Sequence, residues 1–278
     1  MNNLHVDHYF CIGSSHQRAG EPCEDYALSG TLPDGRVYGI VCDGCSGAHA
    51  RTDLGARVLA LAVEDALQHT ASLDDCFTPA FVQRIRERLL AMPLGGTVAD
   101  YLASVVAFCA DGHTARIFMA GDGAFAVRRL DGSVEIGEVS WPDSAPYYLA
   151  YCLQPAVAAQ FESPAARGAA RVQLCSHRTG AASTRRELPA QEFLQGWTTE
   201  LSLEDVSALA VFSDGIGQIS TLDSLDAASA CLGFKNFEGS FVKRRALKAL
   251  ALWAGEGHIQ QDDFAIAALV KLQRERAS

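Results

Sequence analysis

The chain has no spaced cysteine framework, no basic-then-apolar leader and no apolar run near the roughly 20 residues needed to cross a bilayer. Its nine cysteines, an odd number, are scattered from Cys11 to Cys231. Several, such as Cys42 and Cys109, lie in apolar strand-like runs, where a free thiol behaves as a small hydrophobe. That usage points to a reducing compartment, and the polar start Met-Asn-Asn-Leu-His-Val-Asp makes a cytoplasmic protein without membrane association the expectation. Positive charge is also scarce. With 23 Lys and Arg against 33 Asp and Glu, the formal charge is −10, the wrong sign for a general binder of nucleic-acid phosphates. Repeats, low-complexity tracts and linkers are missing too, so the 278 residues, 49% of them apolar, read as one domain over 1–278 with a sizeable core.

What is present is a recurring end to apolar strands. Val37, Tyr38, Ile40 and Val41 form a buried-strand pattern that stops at Asp43-Gly44. The run 115–120 stops before Asp122-Gly123, and 208–213 stops at Asp214-Gly215. A fourth strand, Phe264 to Leu272, is preceded by Asp262 and Asp263; run antiparallel, it brings its beginning to the end where the others finish. A single Asp-Gly is most simply a turn. Three of them closing apolar strands, with an acidic pair opening another, indicate carboxylates that converge. Two carboxylates about 4 Å apart repel by roughly 4 kcal/mol at an effective dielectric near 20, so such a group needs cations or raised pKa values. Oxygen ligands without histidine select hard ions, Mg²⁺ or Mn²⁺, over zinc.

These motifs carry a resemblance. Glu24-Asp25, Asp43-Gly44 with Ser46-Gly47, Gly121-Asp122-Gly123, Ser213-Asp214-Gly215 and Asp262-Asp263 resemble, in order, the motifs of metal-dependent type 2C serine/threonine protein phosphatases. The run from Gly13 to Asp25 is similar to a bacterial branch of that family. The resemblance implies an α+β fold, a four-layer αββα sandwich of two antiparallel sheets flanked by helices, holding two or three ions. It implies that Asp43 bridges two ions, the Gly44 carbonyl and Glu24 serve one, Asp214 and Asp262 hold the other, and Asp122 joins Asp214 at a weaker third site. Asp25 supports the network or is a buried turn residue. Asp263 stands where the family more often has Asn. The implied reaction is hydrolysis of phosphoserine and phosphothreonine by a hydroxide shared between the metals. A phosphoprotein substrate, a cognate kinase as partner and a monomeric state accompany it.

Two positions depart from the family pattern. Cys45 occupies the place of a histidine that gives a proton to the leaving alkoxide; Cys45 itself, His49 or water could serve. Gly20 occupies the place of a phosphate-gripping arginine, for which His16 or Arg18 could substitute. The alternative is therefore a catalytically weak or inactive phosphatase-like regulator that binds a phosphoprotein or kinase. Cys42 and Cys45 also have redox or zinc spacing, but strand alternation makes Cys42 a core residue, and further ligands at suitable spacing are lacking.

Elsewhere the pattern predicts a first strand over residues 4–12, a polar loop from Gly13 to Gly20, and helices over Thr52 to His69, Pro79 to Met92 and Phe241 to Trp253. The second of these buries Phe81, Ile85 and Leu89 and sends Arg84, Arg86 and Arg88 to water. The third places Val242, Leu247, Leu250 and Trp253 on one face, with a basic solvated face opposite. Segments from Tyr101 to Ile136 read as one antiparallel meander. The stretch 141–203 reads as a variable excursion with strand-like pieces at Tyr147 to Leu153 and Arg171 to Cys175 and a helix at Pro189 to Gly196. His69, His113, His177 and His258 read as surface or capping groups, His258 alone being near an expected ligand, Asp262.

Overall fold

The structure is a computed structural model that describes residues 3–45, 51–92, 95–142, 146–162 and 171–272. It opens with β1 (Leu4–Cys11), a six-residue helix α1 (Ser14–Ala19), then β2 (Asp25–Thr31) and β3 (Val37–Gly44). Helices α2 (Thr52–Gln68) and α3 (Pro79–Ala91) follow, then β4 (Ala103–Ala110), β5 (Thr114–Ala120), β6 (Gly123–Arg129) and β7 (Val134–Ser140). After α4 (Pro155–Glu162) come β8 (Arg171–Arg178), β9 (Thr184–Pro189), β10 (Trp197–Ser202) and β11 (Val206–Phe212). The chain closes with α5 (Ser224–Cys231), α6 (Phe241–Glu256) and β12 (Phe264–Lys271).

The strands form a seven-stranded sheet in the order β1-β12-β11-β6-β7-β8-β9 and a five-stranded sheet in the order β10-β5-β4-β3-β2, with antiparallel neighbours. Strand alternation explains the layers. On β3, Val37 and Val41 point between the sheets, while Tyr38, Ile40 and Cys42 point to a second core under α2 and α3. On the far side, Phe212, Phe264 and Ile266 of the larger sheet pack against Ala246, Ala249 and Trp253 of α6. Helix, sheet, sheet, helix: the αββα sandwich is the observed architecture.

Several local expectations are corrected. Gly13 to Gly20 is not all loop, because residues 14–19 form α1 and turn His16 inward. The meander is two hairpins in different sheets: β4 and β5 pair in one, β6 and β7 in the other, and the chain steps across at Gly121-Asp122. Gly121 and Gly123 have φ of +98° and +132°. A Cβ at Gly123 would stand 2.6 Å from the Val106 side chain and 2.9 Å from the Phe212 carbonyl, so the step requires glycine. Tyr147 to Leu153 is not extended; residues 149–153 form a 3₁₀ turn. Pro189 to Gly196 is the end of β9 and a 3₁₀ turn at Ala190–Phe193 rather than an α-helix. The stretch 141–203 supplies edge strands to both sheets, β8 and β9 to one and β10 to the other. Leu247 is 46% exposed, its place on the buried stripe of α6 being taken by the smaller Ala246 and Ala249. Arg86 is not turned to water: its guanidinium donates to the Leu194 carbonyl at 2.8 Å.

Candidate metal centre

Alternation that packs Val37 and Val41 between the sheets puts Asp43 on the same side, at the last turn of the strand. In register, Asp43 faces Asp25 on β2 and Ser104 on β4. Ser213 follows β11 with the parity of the inward-facing Leu209 and Val211, and its hydroxyl donates to Asp25 Oδ2 at 2.6 Å across the gap between sheets. The apolar layer between the sheets therefore ends in a rim of carboxylates.

Asp122, in the step from one sheet to the other, accepts a hydrogen bond from the Ser104 hydroxyl, and Trp141 holds the step by donating to the Gly121 carbonyl at 2.9 Å. The Asp43 and Asp214 carboxyls lie within hydrogen-bonding reach of each other. Gln218 donates to Asp214 Oδ2 and to Asp262 Oδ2, each at 2.8 Å. Asp43, Asp122, Asp214 and Asp262 are thus brought together, with Asp25 behind them and the Gly44 amide bonded to the Glu24 carbonyl at 3.2 Å.

The acids crowd electrostatically. Desolvation, then the charges of Asp25, Asp214 and Asp122, push the Asp43 carboxyl well above the ordinary carboxylate range. Burial does the same to Asp25 against the opposing Ser213 hydrogen bond, and burial raises Asp122. Asp214 is pushed up to about 6 by burial first and then by Asp122. Among the described residues, no Lys or Arg forms an ion pair with Asp25, Asp43, Asp122, Asp214 or Asp262. An oxygen-rich set of this charge, with no Lys or Arg paired to it among the described residues, fits hard divalent ions.

The two acids before β12 divide their work. Asp262 faces Gln218 at the rim, whereas Asp263, 3% exposed, accepts from the Gly13 amide at 2.7 Å and the Glu24 amide at 2.6 Å, and lies 3.0 Å from His16 Nδ1. Burial works to lower the His16 pKa, but the Asp263 carboxylate, followed by Glu24, outweighs it and the net shift is upward. His16 is therefore taken up by this clamp, with its Nε2 3.8 Å from Glu24 Oε2. Arg18 folds back on α1, donating to the Ser14 carbonyl at 3.0 Å. His258 lies 2.8 Å from the Thr221 hydroxyl and joins two loops. Cys42 is fully buried and Cys45 partly exposed, both as free thiols. His49 lies outside the described residues, as does Ser46-Gly47.

Ser104 and Gln218 lie outside the motifs, and Ser213, although it opens Ser213-Asp214-Gly215, acts on Asp25, a partner distant in sequence. Tyr148 was missed as well. It is buried beside Cys45; burial first, then the hydrogen bond to Cys45 and the charges of Asp122 and Asp43, drive its hydroxyl pKa upward. Three tyrosines in 147–151 were the available signal.

A search of curated proteins finds no sequence match. Solved structures share the fold. A bacterial serine phosphatase matches with a TM-score of 0.59 at 12% identity, over 97% of this chain and 98% of that one. The serine/threonine phosphatase Stp1 from Staphylococcus aureus matches at 0.58 and 12%, over 98% and 96%. The S. agalactiae serine/threonine phosphatase matches at 0.58 and 14%, over 97% and 100%. A family model described as protein phosphatase 2C matches residues 12–251. With that match spanning nearly its whole length and the acids of its ordered motifs gathered on one rim, the chain belongs to the protein phosphatase 2C family.

Proposed function

We propose that this chain hydrolyses phosphoserine and phosphothreonine in proteins, with Mg²⁺ or Mn²⁺ as cofactor. The observation that carries the reading is the rim of Asp43, Asp122 and Asp214, crowded and desolvated, joined to Asp262 through Gln218 and with no Lys or Arg ion pair among the described residues. Asp43 would hold two ions, the Gly44 carbonyl and Glu24 completing one and Asp214 with Asp262 the other, while Asp122 and Asp214 provide for a third. Bound there, the ions supply Lewis acidity that acidifies water for in-line attack and screens the phosphoryl oxygens. Asp25, gripped by Ser213, keeps the two sheets at the spacing that lets acids from both share a ligand. Cys45, beside Tyr148, would give a proton to the leaving alkoxide.

The regulator reading draws support from Gly20. It caps α1 at φ +73° with open space around it, so no side chain grips phosphate from that position. The regulator would bind a phosphoprotein or a kinase without turnover.

Phosphate release from a phosphoserine peptide, measured with and without Mn²⁺, separates them. Metal-dependent release that Asp43→Asn or Asp214→Asn lowers by about 10²-fold or more is the expected outcome. Metal binding and peptide capture without turnover would establish the regulator instead.

A further inference from the structure

At the pole opposite the carboxylate rim, two cysteines meet beneath a cavity. Cys109 on β4 stands opposite Tyr38 on β3, whereas Ser104 stands opposite Asp43, so five residues of strand, about 16 Å, separate the two places. Cys76 lies in the loop between α2 and α3, pinned from both sides by buried or half-buried arginines. Arg36, 6% exposed, donates to the Ser72 carbonyl at 2.6 Å and the Thr70 carbonyl at 2.8 Å. Arg116, the neighbour of Cys109 across β4 and β5, donates to the carbonyls of Asp74 at 2.7 Å and Cys76 at 3.3 Å. The next residue, Phe77, has φ of +59°, uncommon for a residue with a side chain.

The Cys76 sulfur accepts an N–H from Arg36 Nη1 at 3.2 Å, and its S–H is within donating distance of the Thr70 hydroxyl at 3.6 Å and the Ser72 carbonyl at 3.5 Å. Residue Cys76, 1% exposed, also borders a cavity of about 320 Å³ lined by Phe77, Thr78, Arg116, Thr199 and Glu200. A buried thiol surrounded only by apolar side chains is inert; one held against a guanidinium beside a cavity is the reactive kind. The neighbouring Cys109 thiol first, against the effect of burial and with help from Thr70 and both arginines, brings the Cys76 pKa down to about 7, while Cys109 is pushed up. One thiol is thus disposed to be an anion and its neighbour to keep its proton.

We propose that Cys76 is a hydroperoxide-reactive thiol and that Cys109 resolves its oxidised form as an intramolecular disulfide. The Cys76 thiolate attacks the terminal peroxide oxygen; the S–O bond forms, the O–O bond breaks, and the alkoxide or hydroxide leaves and takes a proton from water. Cys109 then attacks the sulfenic sulfur, the S–S bond forms, and the hydroxyl departs with the Cys109 proton as water. Two electrons pass from the thiol pair to the peroxide, so no further oxidant is needed. The other seven cysteines have no such arrangement of arginine, cavity and partner among the described residues.

The test uses the full chain with hydrogen peroxide and a chelator that removes transition metals, read by intact mass and peptide mapping. The expected product has lost two hydrogens, with Cys76 joined to Cys109. Neither Cys76→Ser nor Cys109→Ser should form it. In Cys109→Ser, dimedone should label Cys76 ahead of the half-exposed Cys23 and Cys45. Arg36→Gln should slow labelling about ten-fold or more by removing the cation beside the sulfur. A Cys76 left reduced in folded wild-type protein while other cysteines oxidise, or a disulfide that pairs either thiol with a different partner, would overturn the proposal. So would labelling of Cys109 in preference to Cys76 in the wild-type chain.

Discussion

Cys45 stands directly after Asp43-Gly44, where the best-known form of the family has histidine, and its side chain meets Tyr148. A proton donor matters when the leaving group is a poor one, as serine alkoxide is, and hardly at all for nitrophenolate. Cys45→His should therefore raise kcat on a phosphoserine peptide about ten-fold and leave kcat on p-nitrophenyl phosphate within about two-fold. Parallel steady-state assays with the two substrates check this. Asp43 has the opposite profile. Its carboxylate repels Asp25, Asp214 and Asp122 when no ion is bound. Asp43→Asn should lower turnover by about 10²-fold or more yet stabilise the chelated protein by about 1 kcal/mol, or about 2–4 °C in Tm, in calorimetry with EDTA.

Among the elements, α1 shows what local pattern conceals. Six residues cannot stabilise a helix through periodicity. This one is held by distant backbone: Ser14 and Ser15 amides donate to the carbonyls of Gln260 and Gln261, and the Gly13 amide to Asp263. Asp263→Ala would orphan two buried amides and take the acceptor from His16 Nδ1, an expected loss of about 2–4 kcal/mol. Chemical denaturation measures that loss, and Mn²⁺ titration should show weakened affinity because the amide of Glu24 loses its acceptor. The acids at strand ends were legible because Asp-Gly interrupts apolar runs that are plain in one dimension. The step between sheets at Gly121 to Gly123 was not, since a hairpin and a crossover differ only in glycine φ. Nor was β10, whose Trp197 pairs with Met119: the alternation of Trp197 to Ser202 is visible, but a partner nearly eighty residues away leaves no trace beside it.

For the whole molecule, the crowded rim sets a pH dependence. An acid whose folded pKa lies above its unfolded value binds more protons in the folded state, so its contribution is fully present below the unfolded pKa and is lost as pH rises through the folded one. For Asp214 the window runs from its ordinary 3.8 to about 6, with Asp25, Asp43 and Asp122 displaced in the same direction. Chelated protein should accordingly melt at a lower temperature at pH 7 than at pH 5. Divalent ions should reverse the trend, adding about 2.7 kcal/mol at a concentration one hundred times Kd. Thermal scans across pH, with EDTA or Mn²⁺, read both effects; a metal-free chain more stable at pH 7 would contradict the crowding.

Asp25 and Asp43 belong to the five-stranded sheet, Asp214 and Asp262 flank strands of the seven-stranded one, and Asp122 sits where the chain passes from one to the other. A ligand gripped by all of them is a rivet through both leaves of the sandwich. Its grip weakens with any slippage of one leaf along the other, so a mutation deep in the shared apolar layer, far from any acid, can loosen the rivet by misaligning its holes.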